Sequence, residues 1–202
     1  MKQKNINMHT IKECFNIILS GNKDDSRLAA RRVRKLLYSS RSGRDQFNDI
    51  ANLVDNAPHK YTKISEDWRK ENFVVAISVI YYLHNREEQP DFLFSWFFQL
   101  LQHPNGVIRY AVVRMFTNEL GPLTVHLRVP DYRSKKLEPE QSNNILHTLF
   151  MSLNGLLSAL FEPKYKKYKY IDSLPTSPYK SVQMVLAKLE EYCGEQYIDS
   201  LL

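Results

Sequence analysis

The chain has 202 residues, 43% hydrophobic and 25% charged, with a net charge of +6 and a pI near 9.2. That balance excludes a disordered polymer, and the length suffices to bury a core in one domain or one continuous repeat stack over residues 1–202. Two cysteines far apart, Cys14 and Cys193, exclude a disulfide framework, and Lys12, Glu13 and Asn16 break up the N-terminal apolar stretch, so a cytoplasmic protein without an export signal is expected.

Apolar periodicity predicts helices near 8–20, 25–39, 44–54, 66–84, 91–102, 105–120, 142–161 and 179–193, an all-α fold. In the second of these, DSRLAARRVRKLLYSS, Ala29, Ala30, Val33, Leu36 and Leu37 gather on one side. Arg27, Arg31, Arg32, Arg34 and Lys35 take the other. Eight Lys/Arg lie between Lys23 and Arg44, against Asp24, Asp25 and Asp45 just beyond. Guanidinium groups on one helix face clamp phosphates with paired hydrogen bonds, although a solvated outer face has the same composition.

Further along, Ser65 before Glu66 and Asp67 reads as a helix N-cap with an acidic first turn. FVVAISVIYYL, Phe73 to Leu83, is too short to span a membrane and is expected to be a buried helix. Pro90 and Asp91 suit a first helical turn. The aromatic run FLFSWFFQLL, with Phe92 and Trp96 four apart, is expected to pack a core rather than form a ligand pocket.

Two apolar helical patterns then meet across His103-Pro104-Asn105-Gly106, predicting a helix-turn-helix unit over residues 98–120. From Val107 to Phe116 the second helix is apolar on most sides apart from Arg109 and Arg114. Gly121-Pro122 is expected to end it. A non-helical excursion over about 121–141 would follow, with Thr124 to Val129 extended.

Leu146, Leu149, Leu153, Leu156 and Leu160 form a helical seam, and the uncharged opposite side, with His147, Ser152, Asn154 and Ser158, would suit a homodimer or partner contact. No charge interrupts residues 141–161, but their polar residues make a membrane span costly. Between Pro163 and Pro175 a loop carries Lys164 and YKKYKY, including Lys166 and Lys167. Its tyrosines would either stack on bases or pack against neighbouring helices.

Setting LAARRVRKLL, VVAISVIYYL and RYAVVRMF side by side aligns Ala30, Ala76 and Ala111, which are 46 and 35 residues apart, around a helical-pair period of about 40. With LLQHPNGVIRYAVVRMF, its turn proline and its Ile108-Arg109 pair, the chain resembles the HEAT-repeat family. The resemblance covers residues 92–120 well and implies a right-handed α–α superhelix, an irregular helical-repeat solenoid. A HEAT-like family of DNA alkylpurine glycosylases has basic helical solenoids whose sites use aromatic residues, an aspartate and an arginine. Asp67, Trp68, Arg69, Trp96 and Arg109 are residues of those types, but no motif assigns any of them a catalytic role.

No phosphate-binding glycine loop, HExxH, GxSxG or paired CxxC occurs, and the six histidines, at 9, 59, 84, 103, 126 and 147, are dispersed. No cofactor or metal is therefore expected. The functional expectation is non-enzymatic binding through an electropositive surface of Arg27, Arg31, Arg34, Lys35, Arg109, Arg114, Lys166 and Lys167. The expected partner is anionic, nucleic acid first and acidic protein second, with no membrane contact.

Overall fold

A computed structural model of the chain describes residues 10–39, 47–83, 93–129, 137–167 and 176–201. Among them all regular structure is helical and no strand occurs, in keeping with the periodicities. The helices group into two compact units, Met1–Gln89 and Pro90–Leu202. Pro90, Asp91, Phe92, Arg41, Arg44 and Asp45 lie outside the described residues.

The first unit contains α1 (Ile11–Ser20), α2 (Lys23–Ser39), α3 (Phe47–Asp55), α4 (Ala57–Thr62), α5 (Asp67–Ile80) and a 3-10 turn, Tyr81–Leu83. Thr10 and Glu13 start α1 with a reciprocal cap: each backbone N–H donates to the other's side chain, at 3.0 and 3.1 Å. Gly21 lets the chain turn at once into α2, since a Cβ there would lie 2.7 Å from the Ile17 carbonyl oxygen. Asn22 accepts from the Asp25 N–H at 3.0 Å and so caps α2.

The core of this unit is built from α1, α2 and α5. Cys14, Phe15 and Ile18 of α1 and Ala29, Ala30 and Val33 of α2 pack with Phe73, Ala76, Ile77 and Ile80 of α5, all buried. Phe15 and Phe73 meet edge to face at 5.9 Å. The expectation of a buried helix from Phe73 holds through Tyr81, beyond which Tyr82 is exposed. Glu66 rather than Ser65 occupies the N-cap position of α5; Ser65 instead donates its hydroxyl to the Glu66 carboxylate at 3.0 Å. The six residues of α4 were not foreseen, because so short a helix shows no period.

The second unit contains α6 (Phe94–Leu101), α7 (Gly106–Arg128), α8 (Pro139–Ala159), a 3-10 turn (Pro163–Lys167), α9 (Pro178–Cys193) and α10 (Glu195–Asp199). Helix α7 is central, packing along α9 and against α6 and α8. Phe94, Phe97 and Phe98 surround Phe116 with ring centroids 5.5, 5.0 and 6.0 Å away, the core role expected of the aromatic run. Leu146, Leu149 and Leu153 are buried, whereas Leu156 and Leu160 of the same seam are half-buried.

One expectation is overturned here. Helix α7 does not stop at Gly121-Pro122; it continues to Arg128, so 121–128 is neither a loop nor extended. The reason is packing: Leu120, Leu123 and Thr124 prolong the buried stripe of α7, while Pro122 sits on the exposed side. Burying that stripe outweighs the hydrogen bond that proline cannot donate. Residues 130–136 lie outside the described part. At the far end Gly194 ends α9 at φ 84°, a conformation that favours glycine, and α10 follows. Tyr197 of α10 donates to Asn143 Oδ1 of α8 at 2.8 Å, and His126 Nε2 of α7 is 2.9 Å from the same oxygen.

Candidate functional site

The charge-bearing feature of the first unit is the outer side of α2. At 100° per residue, Ser26, Ala29, Ala30, Val33 and Leu36 share one arc, and all are buried. Arg27, Arg31 and Arg34 fall within about 60° on the opposite side, with Lys35 and then Arg32 further round in one direction, and all five are exposed. The 17 residues of α2 hold six Lys/Arg and two Asp, a net +4. Both aspartates lie in the first turn, where they suit the positive end of the helix, and Asp25 is further held by Asn22 at 2.7 Å. Among the described residues no carboxylate forms an ion pair with Arg27, Arg31, Arg32, Arg34 or Lys35.

What fixes α2 in place is a polar network that its sequence pattern does not announce. Buried Ser26 donates to the Ile18 carbonyl at 3.1 Å and accepts from Asn72 Nδ2 at 3.0 Å. Arg69 reaches the same carbonyl at 3.0 Å. Its Nε and second terminal nitrogen grip the Glu66 carboxylate at 3.2 and 3.1 Å, which holds that acid down at about 2. The guanidinium also lies 4.4 Å from the Trp68 ring. Asp67 is exposed and 3.9 Å from Lys70. Of the glycosylase residue types in this unit, Arg69 is therefore engaged in joining α1 to α5.

In the second unit, Arg109 corrects its assignment to the binding surface. It is 3% exposed, and one terminal nitrogen donates to the carbonyls of His103 and Pro104 at 2.6 and 2.8 Å. Asn105 caps α7 by accepting from Val107 N–H at 2.8 Å, and its own N–H donates to His103 Nδ1 at 3.0 Å. Arg109 thus clamps the turn between α6 and α7, with its side chain buried rather than presented at the surface. Trp96 is buried as well. Arg114 is exposed.

The basic tyrosine tract is tied down where it is described. Tyr165 stacks on Tyr179 of α9 at 4.5 Å with planes 3° apart, and Lys164 pairs with Glu162 at 2.7 Å. One face of Tyr165 is therefore covered by its own fold. The side chains of Lys166 and Lys167, with all of Tyr168 and Tyr170, lie outside the described part.

Beyond Glu140 in its first turn, the exposed side of α8 shows the uncharged Asn144, Thr148, Met151 and Ser152 with His147. Beside it a cavity of about 470 Å³ is walled by Phe94 and Phe98 of α6 and by Ile145 and Leu149 of α8. Burial pushes both thiols, Cys14 and Cys193, up to about 11, so both rest as neutral thiols at neutral pH. Among the described residues no group of three His, Cys, Asp or Glu is placed to hold a metal ion, and no helix is long and apolar enough to cross a membrane.

No family model matches the chain, and no match was found among curated proteins or solved structures.

Proposed function

We propose that the chain is a non-enzymatic binding protein that takes an anionic partner, nucleic acid first and an acidic protein surface second, on the outer side of α2. The observation that carries this reading is the exposure of Arg27, Arg31, Arg34 and Lys35 together on a helix whose opposite side is closed into a core. At 1.5 Å per residue, Arg27 to Arg34 spans about 10 Å, comparable with about three nucleotide steps along one strand. Arginines on a helix held by the Ser26–Asn72 anchor engage successive phosphates without reordering that helix.

We read the helical pairs α1–α2 and α6–α7 as HEAT-like repeats. Short turns join each pair, and the aligned alanines Ala30, Ala76 and Ala111 are all buried, which supports close helix packing of that kind.

Binding of the purified chain to labelled single-stranded and duplex DNA and RNA across a salt series tests the proposal. Three to four phosphate contacts give a slope of log affinity against log salt of about −2 to −3 on single strands. No binding at low salt, or binding indifferent to charge reversal on α2, would refute the nucleic-acid reading. Capture of an acidic protein that survives nuclease and is lost on that reversal would establish the second partner class. Release of a modified base from alkylated DNA would replace binding alone by a HEAT-like glycosylase activity.

A further inference from the structure

From Gln141 to Ala159 helix α8 has nine exposed positions, and none of them is charged. In α2, by contrast, seven of the eight exposed positions among the described residues are charged. Burial accounts for the absence of charge at Leu146, Leu149, Phe150 and Leu153, which belong to the core, but not along the exposed side. At 1.5 Å per residue the uncharged strip is about 27 Å long. Beside it, α6 and α8 both pack on α7 and leave between them the cavity of about 470 Å³. Its apolar walls open at a rim of Ser95, Asn144, Thr148 and Ser152, and no charged residue lines it.

The strip carries a knob as well as this hole. Met151 is 54% exposed, and an unbranched, flexible methionine fills irregular apolar gaps. At 100° per residue Asn144 and Gly155 mark the middle of the strip, Thr148 and Ser152 turn from it toward the cavity, and Met151 turns the other way. A two-fold axis parallel to α8 therefore brings the Met151 flank of one copy against the cavity flank of the other, and the reverse; an antiparallel pairing would set Met151 against Met151 and cavity against cavity. Met151 also lies at the right level, within the stretch 144–152 that lines the cavity, and its lean toward the helix N-terminus centres it there. Charge decides the occupant. Copies of a chain of net charge +6 repel one another, and residues near a two-fold axis face their own counterparts, so a charge there would meet its like. The α8 strip avoids that penalty. Two helix widths of about 10 Å over about 27 Å give about 500 Å² a side, at the lower bound for a specific interface, so the pairing is weak.

We propose that this face of α6 and α8 pairs with a second copy of the chain about a two-fold axis parallel to α8, with Met151 of each copy seated in the other's cavity. The pairing stands apart from the α2 reading, since no residue is shared between the two.

The test is sedimentation equilibrium of the full chain, freed of nucleic acid by nuclease and high salt, from about 1 to about 300 μM. Reversible association from 23.8 kDa to twice that mass is expected, with a Kd of about 10 to 100 μM that tightens as salt screens the net charge. Met151→Glu and Thr148→Glu should each weaken it by more than about tenfold, because each brings an unpaired charge into the contact. Leu28→Glu, at a similarly exposed apolar residue of α2, should leave it within about twofold. Mild oxidation reads the geometry. Gly155→Cys, where an added Cβ meets nothing within 4 Å, and Asn144→Cys should each cross-link to their own copies above the background that Cys193 gives in the unmodified chain. A chain that stays at 23.8 kDa throughout, or association unaltered by Met151→Glu and Thr148→Glu, would overturn the proposal. So would cross-linking confined to a mixture of the two cysteine chains, which is the mark of an antiparallel pair. A monomer that takes an apolar fluorescent probe into the cavity, and loses it on Thr148→Glu, would give the cavity to a small apolar ligand instead.

Discussion

Arg31 and Arg109 both stand on helices with apolar inner sides, yet the fold uses them in opposite ways. Arg31 projects from the outer arc of α2 among four other exposed cations, with no carboxylate paired to it among the described residues. Arg109 is folded under the α6–α7 turn, its guanidinium taken up by two carbonyls at 2.6 and 2.8 Å. The donors of an exposed arginine are free to change partner, which recognition of an anion requires. A buried one has already exchanged water for backbone acceptors, and removing it leaves those acceptors short.

The largest effect that sharpens this contrast is charge reversal on α2. Arg27/Arg31/Arg34→Glu should lower affinity for single-stranded nucleic acid by more than about a hundredfold while shifting the thermal midpoint little, because exposed substitutions away from special features cost about 0.5 kcal/mol or less each. Arg109→Met should do the reverse. Two turn carbonyls lose their donor, so denaturant unfolding should show a loss of about 2 kcal/mol, with affinity for nucleic acid unchanged in the folded fraction. If Arg109→Met instead weakened binding at full stability, Arg109 would belong to the surface after all. A smaller effect is expected of Arg31→Ala alone. It should cost several-fold in affinity and reduce the salt slope by about 0.7 on single strands, one phosphate contact's worth.

The sequence separates these roles only in part. Helix existence was legible because α2, α5, α7 and α8 are long enough to display a 3.6-residue period, and the two sides of α2 appear in the structure as read except that Leu37 is half-buried. The extent of α7 was not legible. Gly121-Pro122 is a strong local stop signal, and only the burial of Leu120, Leu123 and Thr124 against partners distant in sequence overrides it. Arg109 was misassigned because a cation amid apolar residues has the same letters whether it reaches solvent or folds back on a turn. Its proximity to the His103-Pro104 break was the available clue, since carbonyls left free by a proline turn need donors.

The smallest effect concerns Arg69, which shares features of both arginines: buried like Arg109, yet paired with a carboxylate at the surface. Its fork holds Glu66 at about 2, below the ordinary value of 4.5. Because the folded value is the lower one, the interaction stabilises the fold at and above about pH 4.5 and is lost as pH falls from there through about 2. Glu66→Gln should therefore melt slightly below the unmodified chain at pH 6, the gap being small because the carboxylate is open to solvent. The gap should close progressively between about pH 4.5 and 2, where the unmodified chain protonates Glu66 and becomes equivalent to the amide. Paired melting curves over that range make the comparison, since every other carboxylate titrates alike in both chains. A gap of constant size down to pH 2 would mean that Arg69 is held by the Ile18 carbonyl and the Trp68 ring alone. Arg69 would then belong with Arg109, as an arginine fixed by neutral groups of its own fold.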